Sequence, residues 1–492
     1  MTSDASRPEA RAPRGFADRR ARDLAAERRI LAAVSAVYER YGFEALDTGA
    51  LEYADALGKF LPDADRPNEG VFALQDDDEQ WMALRYDLTA PLARFAAQNW
   101  ETLPKPFRRY AFGTVWRNEK PGPGRFREFT QCDADTVGSS RPEADAEIVA
   151  MAVEGFDAAG LSRGQAVLKI NNRKLLDGLL AEEGVSEDRR KLTVLRAIDK
   201  YDRLGWEGVA ALLGPGRLDE SGDFTKGAEL PFKTIAAIET FLVSAGASNL
   251  ARSKVIGVLA GLPMGAAGQE ALGELSAIDS ALTALGVGPD LARIDPTVVR
   301  GLEYYTGAVF EAELMLETTD ERGQPVRFGS VGGGGRYDDL VARFTGQPVP
   351  ATGFSFGVSR LAAALRAAGR DLGGEVRGPV VVIAFDQQHM AEYYAVAREL
   401  RAAGISAEVY LGSSGMKAQM KYADRRLSPA AVMLGGDEIA AGTVTVKDLD
   451  LGRELARGVS DNSQWREQRP GQATIPRGEL VAFVRRIVEG GR

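Results

Sequence analysis

Residue types able to do chemistry recur at every second position of RFREFTQCDADTV, which begins at Arg125. Successive side chains of an extended chain point to opposite faces, so Arg125, Arg127, Phe129, Gln131, Asp133 and Asp135 share one side of a strand. A flat ring, an amide, acids and guanidinium groups form a ligand-facing set, because each charge taken out of water needs a partner. The preceding strand, RRYAFGTVWR, ends in Arg117, which closes the same pocket, with Glu119 in the loop beyond. Arg85, Asp87 and Thr89 share a further face by the same rule. RGLEYYTGAVFEAEL, from Arg300, alternates Phe310, Ala312 and Leu314 with Glu311 and Glu313. It reads as a strand whose polar side carries Glu303, Tyr305, Glu311 and Glu313 towards a cavity, with Arg300 at its entrance. Standing alone, such a side would be a wet strand face.

Arg360 opens a helix after GFSFGVS, where its guanidinium and the unpaired N–H groups of the first turn reinforce each other around an anion. Together with Arg117, Arg125 and Arg300 it suggests a polyphosphate, since forked donors match phosphate oxygens and stay charged when desolvated. A nucleotide is the natural candidate. The run GGGGRYDD is neither G-x-G-x-x-G nor a P-loop ending in GK[ST], and it reads equally as a flexible turn. The chain holds one cysteine, Cys132, and one histidine, His389. That excludes an internal disulfide, a thiolate-built zinc site and a His-rich metal site, and His389 is far along the chain from the polar strands. By parity Cys132 points to the opposite strand face, as a small buried filler.

These residues need a scaffold, and 492 residues with 45% hydrophobic and 27% charged content suffice for several packed domains. Net charge is −9, which argues against indiscriminate nucleic-acid coating, although KAQMKYADRR and the Arg-rich hairpin are local basic clusters. No apolar run approaches the length of a bilayer span and the N-terminus lacks a signal-peptide core, so a cytoplasmic location is expected. Residues 17–41 carry a helical period. GFEALDTGALE reads as extended, and WMALRYDLT leads into a helix that Thr89 could cap, with Pro91 in its first turn. The two polar strands flank the Pro/Gly loop NEKPGPG. From 173 to 291 the pattern turns mostly helical. After the linker GGEVRGP, strand and helix alternate as in a small α/β domain.

FGTVWRNEKPGPGRFREFTQCDAD, RGLEYYTGAVFE, GGGGRYDDLV and TGFSFGVSRL, in this order, resemble histidyl-tRNA synthetase, a class II aminoacyl-tRNA synthetase family. RGLEYY is the most specific of these stretches. The resemblance covers about Phe16 to Lys447 and implies an α+β fold: an antiparallel class II catalytic sheet flanked by helices, a helical insertion and a C-terminal α/β anticodon-binding domain. The implied division is a flexible tail at 1–15, the catalytic domain at 16–172 and 292–373, the insertion at 173–291 and the anticodon-binding domain at 379–492. It further implies that Arg117 and Arg300 are catalytic, holding the α-phosphate and the activated carboxyl, that Arg125 and Arg360 hold the γ-phosphate, and that Phe129 and Glu119 grip adenine. Asp87, Thr89 and Gln131 fall where the family binds the substrate α-amino group, and Asp135 with Tyr305 where it reads the imidazole. Tyr304, Tyr337 and the glycines before Tyr337 complete the wall, and Arg300 also faces the amino acid. Implied partners are L-histidine, ATP with Mg2+ carried on its phosphates, tRNA(His) and a second copy of the chain in a homodimer, with no membrane and no protein-built metal site. The other readings are the non-catalytic regulatory paralogue of a histidine-biosynthetic ATP phosphoribosyltransferase, and a class II synthetase for proline, threonine or glycine. The paralogue typically lacks RGLEYY and the C-terminal domain, which are both present. The other synthetases lack the imidazole-reading residues.

Overall fold

The computed structural model describes residues 9–60, 70–120, 126–218, 222–243, 250–299, 305–316, 318–319, 325–326, 328–370, 372–373, 376–456 and 471–490. The chain divides into two compact units, Met1–Gly373 and Gly374–Arg492. Helix α1 (Ala21–Arg40) starts four residues after the helical period does. It is followed by β1 (Glu44–Ala45) and a small sheet of β2 (Leu51–Tyr53), β3 (Ala73–Gln75) and β4 (Trp81–Leu84). Helix α2 (Thr89–Gln98) precedes the hairpin of β5 (Phe107–Trp116) and β6 (Glu128–Val137), and α3 (Pro142–Ala158) leads to β7 (Ala166–Asn172). Pro142 occupies the first turn of α3, where its missing N–H is no loss. Then come α4 (Arg173–Glu182), α5 (Asp188–Ile198), α6 (Tyr201–Leu213), a hairpin of β8 (Gly216–Leu218) and β9 (Phe224–Lys226), α7 (Phe232–Val243), α8 (Arg252–Leu259) and α9 (Gly265–Ala284). The unit closes with β10 (Ala292–Ile294), β11 (Ala308–Leu314), the pair β12 (Thr318–Thr319) and β13 (Pro325–Val326), β14 (Ser330–Arg336), α10 (Asp339–Thr345), β15 (Ala351–Gly357) and α11 (Val358–Ala367).

One sheet organises this unit, in the order β1-β5-β6-β15-β14-β11-β7-β10. The pairings from β5 to β7 are all antiparallel, and only the outermost ones, β1 with β5 and β7 with β10, are parallel. Apolar side chains collect on one face. Cys132 and Ala134 of β6 and Phe354 and Phe356 of β15 are buried there, against Ile30, Val34 and Tyr38 of α1 and Phe156 of α3. The spacing of Ile30, Val34 and Tyr38 is the one-face period of a helix, so one stripe of α1 is enough to cover the strands. The opposite face of the same strands therefore keeps the polar residues.

The helices between β7 and β10 leave the sheet and return to its edge, where Ala292, Arg293 and Ile294 pair in parallel with Leu168, Lys169 and Ile170. Their buried Leu175, Leu179, Val209, Phe241 and Leu275 belong to the same apolar cluster as Leu168 and Phe310 of the sheet. The GGGG run is a strand in the middle of the sheet, not a turn. Gly332 and Gly334 lie against Phe354 and the Gly353 backbone, where a Cβ would stand 2.7 Å from the Phe354 ring and 2.0 Å from the Gly353 carbonyl oxygen. Of the expected N-terminal tail, residues 1–8 lie outside the described residues, and the Gly15 carbonyl accepts a hydrogen bond from the Arg127 backbone N–H at 3.0 Å.

The second unit builds its own five-stranded sheet from β16 (Val380–Val382), β17 (Ala407–Val409), β18 (Ala430–Met433), β19 (Thr443–Asp448) and β20 (Gln472–Pro476), in the order β17-β16-β18-β19-β20. Val380, Val382, Val432 and Val446 bury one face of it against Tyr393, Val396 and Leu400 of α12 (Met390–Ala402) and Leu480 and Val484 of the last helix (Leu480–Val488).

Candidate active site

A cavity of about 420 Å³ opens on the polar face of the large sheet. Arg117, Glu119, Phe129 and Arg360 line one part of it. Asp87, Thr89, Gln131, Asp135, Tyr305 and Tyr337 line another. The hairpin register explains the convergence, since Phe129, Gln131, Asp133 and Asp135 succeed one another by twos along β6. Arg117 donates through Nε to the Tyr86 carbonyl at 3.1 Å, and its guanidinium carbon lies 5.2 Å from the Phe129 ring centroid. A cation held beside an aromatic plate suits a planar ligand carrying negative charge. Arg360 sits in the first turn of α11 and donates through Nη2 to the Phe328 carbonyl.

Acid dominates the deeper end. Asp87, Asp133 and Asp135 are 7%, 2% and 2% exposed. Asp87 Oδ1 accepts the Thr89 and Ala90 backbone N–H groups at 3.1 and 2.9 Å, so the aspartate, and not Thr89 as expected, caps α2. A carboxylate is the better partner at a helix N-terminus because it meets both the free donors and the positive end of the dipole. Asp135 Oδ1 accepts the Tyr337 hydroxyl, and its Oδ2 lies 2.7 Å from Arg109 Nη2. Arg109, fully buried, also donates to the Leu88 carbonyl at 2.9 Å. A Cβ on Gly353 would stand 1.9 Å from Asp135 Oδ1, so β15 must carry glycine opposite this carboxylate.

Burial pushes all three carboxyl groups above the usual carboxylate range. At Asp87 the Ala90 and Thr89 amides and Arg117 oppose it, and at Asp135 Arg109 and Tyr337 do. Asp133 is pushed up to about 8, by burial first and then by the charge on Asp135. The Tyr337 phenol is held well above its ordinary value by burial and by Asp135, so it stays a donor. A pocket of buried carboxyls with an amide oxygen, Gln131 Oε1, that lacks a hydrogen-bond partner among the described residues attracts a cationic, hydrogen-bond-donating ligand.

The strand parity fails at its ends. Arg127 does not line the cavity: β6 begins at Glu128, and Arg127 donates through Nε to the Glu119 carbonyl at 2.9 Å. Phe126 takes its place on the wall. Arg85 turns away, donating to the Thr114 and Thr48 carbonyls at 3.0 and 2.7 Å. Glu311 and Glu313 share the polar face yet lie off the wall. Glu313 is 2.9 Å from Lys169, which also faces Asp295 at 3.3 Å, so this end of the sheet neutralises itself. Arg125, Arg300, Glu303 and Tyr304 lie outside the described residues. Arg109 is the residue the sequence reading missed. Its signal was there, as it stands on the same parity of β5 as Arg117 and directly opposite Asp135.

A family model described as Histidyl-tRNA synthetase matches residues 15–361, and one described as Anticodon binding domain matches residues 379–486. The chain belongs to the histidyl-tRNA synthetase family. A histidine--tRNA ligase of Caulobacter vibrioides is 73% identical over 497 aligned residues, covering 100% of both chains. One from Mesorhizobium japonicum is 53% identical and covers 99% of this chain and 98% of its own. The crystal structure of histidyl-tRNA synthetase from Nostoc sp. PCC 7120 matches with a TM-score of 0.69 at 26% identity, over 97% of this chain and 99% of that one. The family's class II architecture, with an anticodon-binding domain, thus accounts for both compact units. Among the described residues no helix is long and apolar enough to cross a membrane.

Proposed function

We propose that this chain activates L-histidine with ATP, forming histidyl-adenylate and pyrophosphate, and transfers histidine to the 3′ end of tRNA(His). The observation that carries the reading is a single cavity with Arg117 beside the Phe129 ring at one end and buried Asp87, Asp135 and Gln131 at the other. Phe129 and Glu119 grip adenine, Arg117 and Arg300 hold the α-phosphate and the reacting carboxylate, and Arg125 and Arg360 hold the γ-phosphate. The α-amino group is seated by Asp87, Thr89 and Gln131. The imidazole lies between Asp135 and Tyr305, with Tyr304 and Tyr337 completing the enclosure. Two ring nitrogens met by an acid and a phenol reject amino acids lacking either, because the buried partners would be left unpaired.

Attack of an already ionised carboxylate on the α-phosphate, with pyrophosphate leaving in line, needs no protein base. Positioned guanidinium groups that stabilise the spreading charge supply the catalysis. Mg2+ enters on the ATP phosphates; among the described residues no group of three His, Cys, Asp or Glu side chains could hold a metal ion. The chain acts in the cytoplasm as a homodimer. Support for the dimer is the exposed apolar side of the small sheet, where Leu51, Tyr53 and Leu74 share one face and are 42%, 56% and 43% exposed. Pyrophosphate exchange across a panel of amino acids tests the whole reading. Exchange driven by L-histidine alone is expected, whereas exchange with proline, threonine or glycine, or with none, overturns it.

A further inference from the structure

Two of the three buried aspartates are already engaged: Asp87 on the N-terminus of α2, and Asp135 on Arg109 and Tyr337. Asp133 is not. Its Oδ1 is buried with no hydrogen-bond partner among the described residues, and its carboxyl belongs to the cavity wall. Every element packed around it contributes a group. Asp135 follows on β6, Arg109 comes from β5, and Asp87 and Arg85 come from the segment before α2. Ser355 stands directly across the register on β15, and Tyr38 approaches from α1 with Cys132 on the far side of β6. The two cations are committed elsewhere: Arg109 lies 2.7 Å from Asp135, and Arg85 holds the Thr48 and Thr114 carbonyls at 2.7 and 3.0 Å. A third buried negative charge here would face two others with no cation of its own, which is the costly arrangement for a carboxylate.

We propose that Asp133 is a proton-exchanging seat for the amino acid, uncharged in the empty cavity and ionised when the substrate's ammonium group arrives, so that binding releases a proton. The proposal rests on the histidine reading above and adds a residue and a linkage to it. In the step the carboxyl O–H bond breaks, its electron pair stays on Asp133 as carboxylate, and the proton leaves to solvent. The new charge is then paired with the ammonium, which remains protonated. Protonation of Asp133 near neutral pH in the empty site follows from burial and from the neighbouring Asp135 and Asp87, which outweigh the opposing Arg109 and Ser355. An opposite charge at contact distance lowers such a carboxyl by about 1 to 3 pH units, enough to ionise it.

Titration calorimetry with L-histidine near neutral pH, in two buffers of different ionisation enthalpy, counts the protons. The wild-type protein should release about one proton more per histidine bound than Asp133→Asn, whose amide copies the neutral acid and cannot ionise. Comparing the two proteins cancels the titration of histidine itself. Equal proton counts overturn the proposal. Infrared difference spectra of the unaltered protein do not depend on the variant folding. A protonated-carboxyl band that disappears when L-histidine is added is expected, and its absence from the empty protein overturns the proposal. Failure of the histidine reading would look different: no binding heat from L-histidine in the wild-type protein, which overturns both.

Discussion

Asp135, proposed to read the imidazole, has one oxygen accepting the Tyr337 hydroxyl and the other 2.7 Å from Arg109. A buried carboxylate fixed in this way presents its remaining lone pairs in one direction, as the proposed imidazole recognition requires. Asp135→Ala should therefore raise the half-saturating histidine concentration in pyrophosphate exchange by about one to two decades, the worth of one charge-assisted hydrogen bond, with ATP dependence changing far less. An unchanged value would remove Asp135 from the pocket. Counting by twos along β6 was enough to find Phe129, Gln131, Asp133 and Asp135, because alternation is strict wherever a strand is paired on both sides. It misplaced Arg127, which precedes the first paired residue, and Glu313, which an ion pair with Lys169 occupies. Arg109 shares the legible parity, but a strand's parity does not say which of its residues has a buried acid opposite.

At the scale of elements, the acidic pocket depends on how closely β6, β15 and β14 approach. Gly353 faces Asp135 across the register, where even a methyl group would overlap the carboxylate. The backbone of Gly353 is not left-handed, so its role is space rather than conformation. Gly353→Ala should displace Asp135 from Arg109 and Tyr337, with an overpacking cost of about 1 to 3 kcal/mol. Urea unfolding should register that loss, and histidine half-saturation should rise as it does for Asp135→Ala. A variant of wild-type stability and affinity would show that the sheet relaxes around the methyl. The strands and helices themselves were legible from alternation and helical period. The GGGG run was not, because glycine carries no apolar pattern, and only the neighbouring Phe354 and Gly353 backbone reveal why β14 needs it. The shared core of the helices after β7 was likewise out of reach, since contacts distant in sequence leave no local period.

For the whole molecule, the division at Gly373/Gly374 separates the two kinds of work. Every described residue with a proposed role towards histidine or ATP lies before it, from Asp87 to Arg360. The described strands after it form a sheet with its own valine-rich core, and residues 379–486 match an anticodon-binding domain. A change of pattern such as the one after GGEVRGP is expected wherever two separately cored units each restart their own periodicity. A chain ending at Gly373 keeps the large sheet and its apolar cluster whole, so circular dichroism and cooperative melting should first establish that it is folded. It should then carry out histidine-dependent pyrophosphate exchange at close to the full-length rate, since no reacting group has been removed. Charging of tRNA should fall steeply, because the anticodon end would have lost its binding surface while the 3′ end must still reach the adenylate. The decisive comparison is exchange against charging in the same preparation. Charging at full-length efficiency would mean that tRNA is held by the first unit alone; loss of exchange in a folded fragment would place part of the activation machinery beyond Gly373.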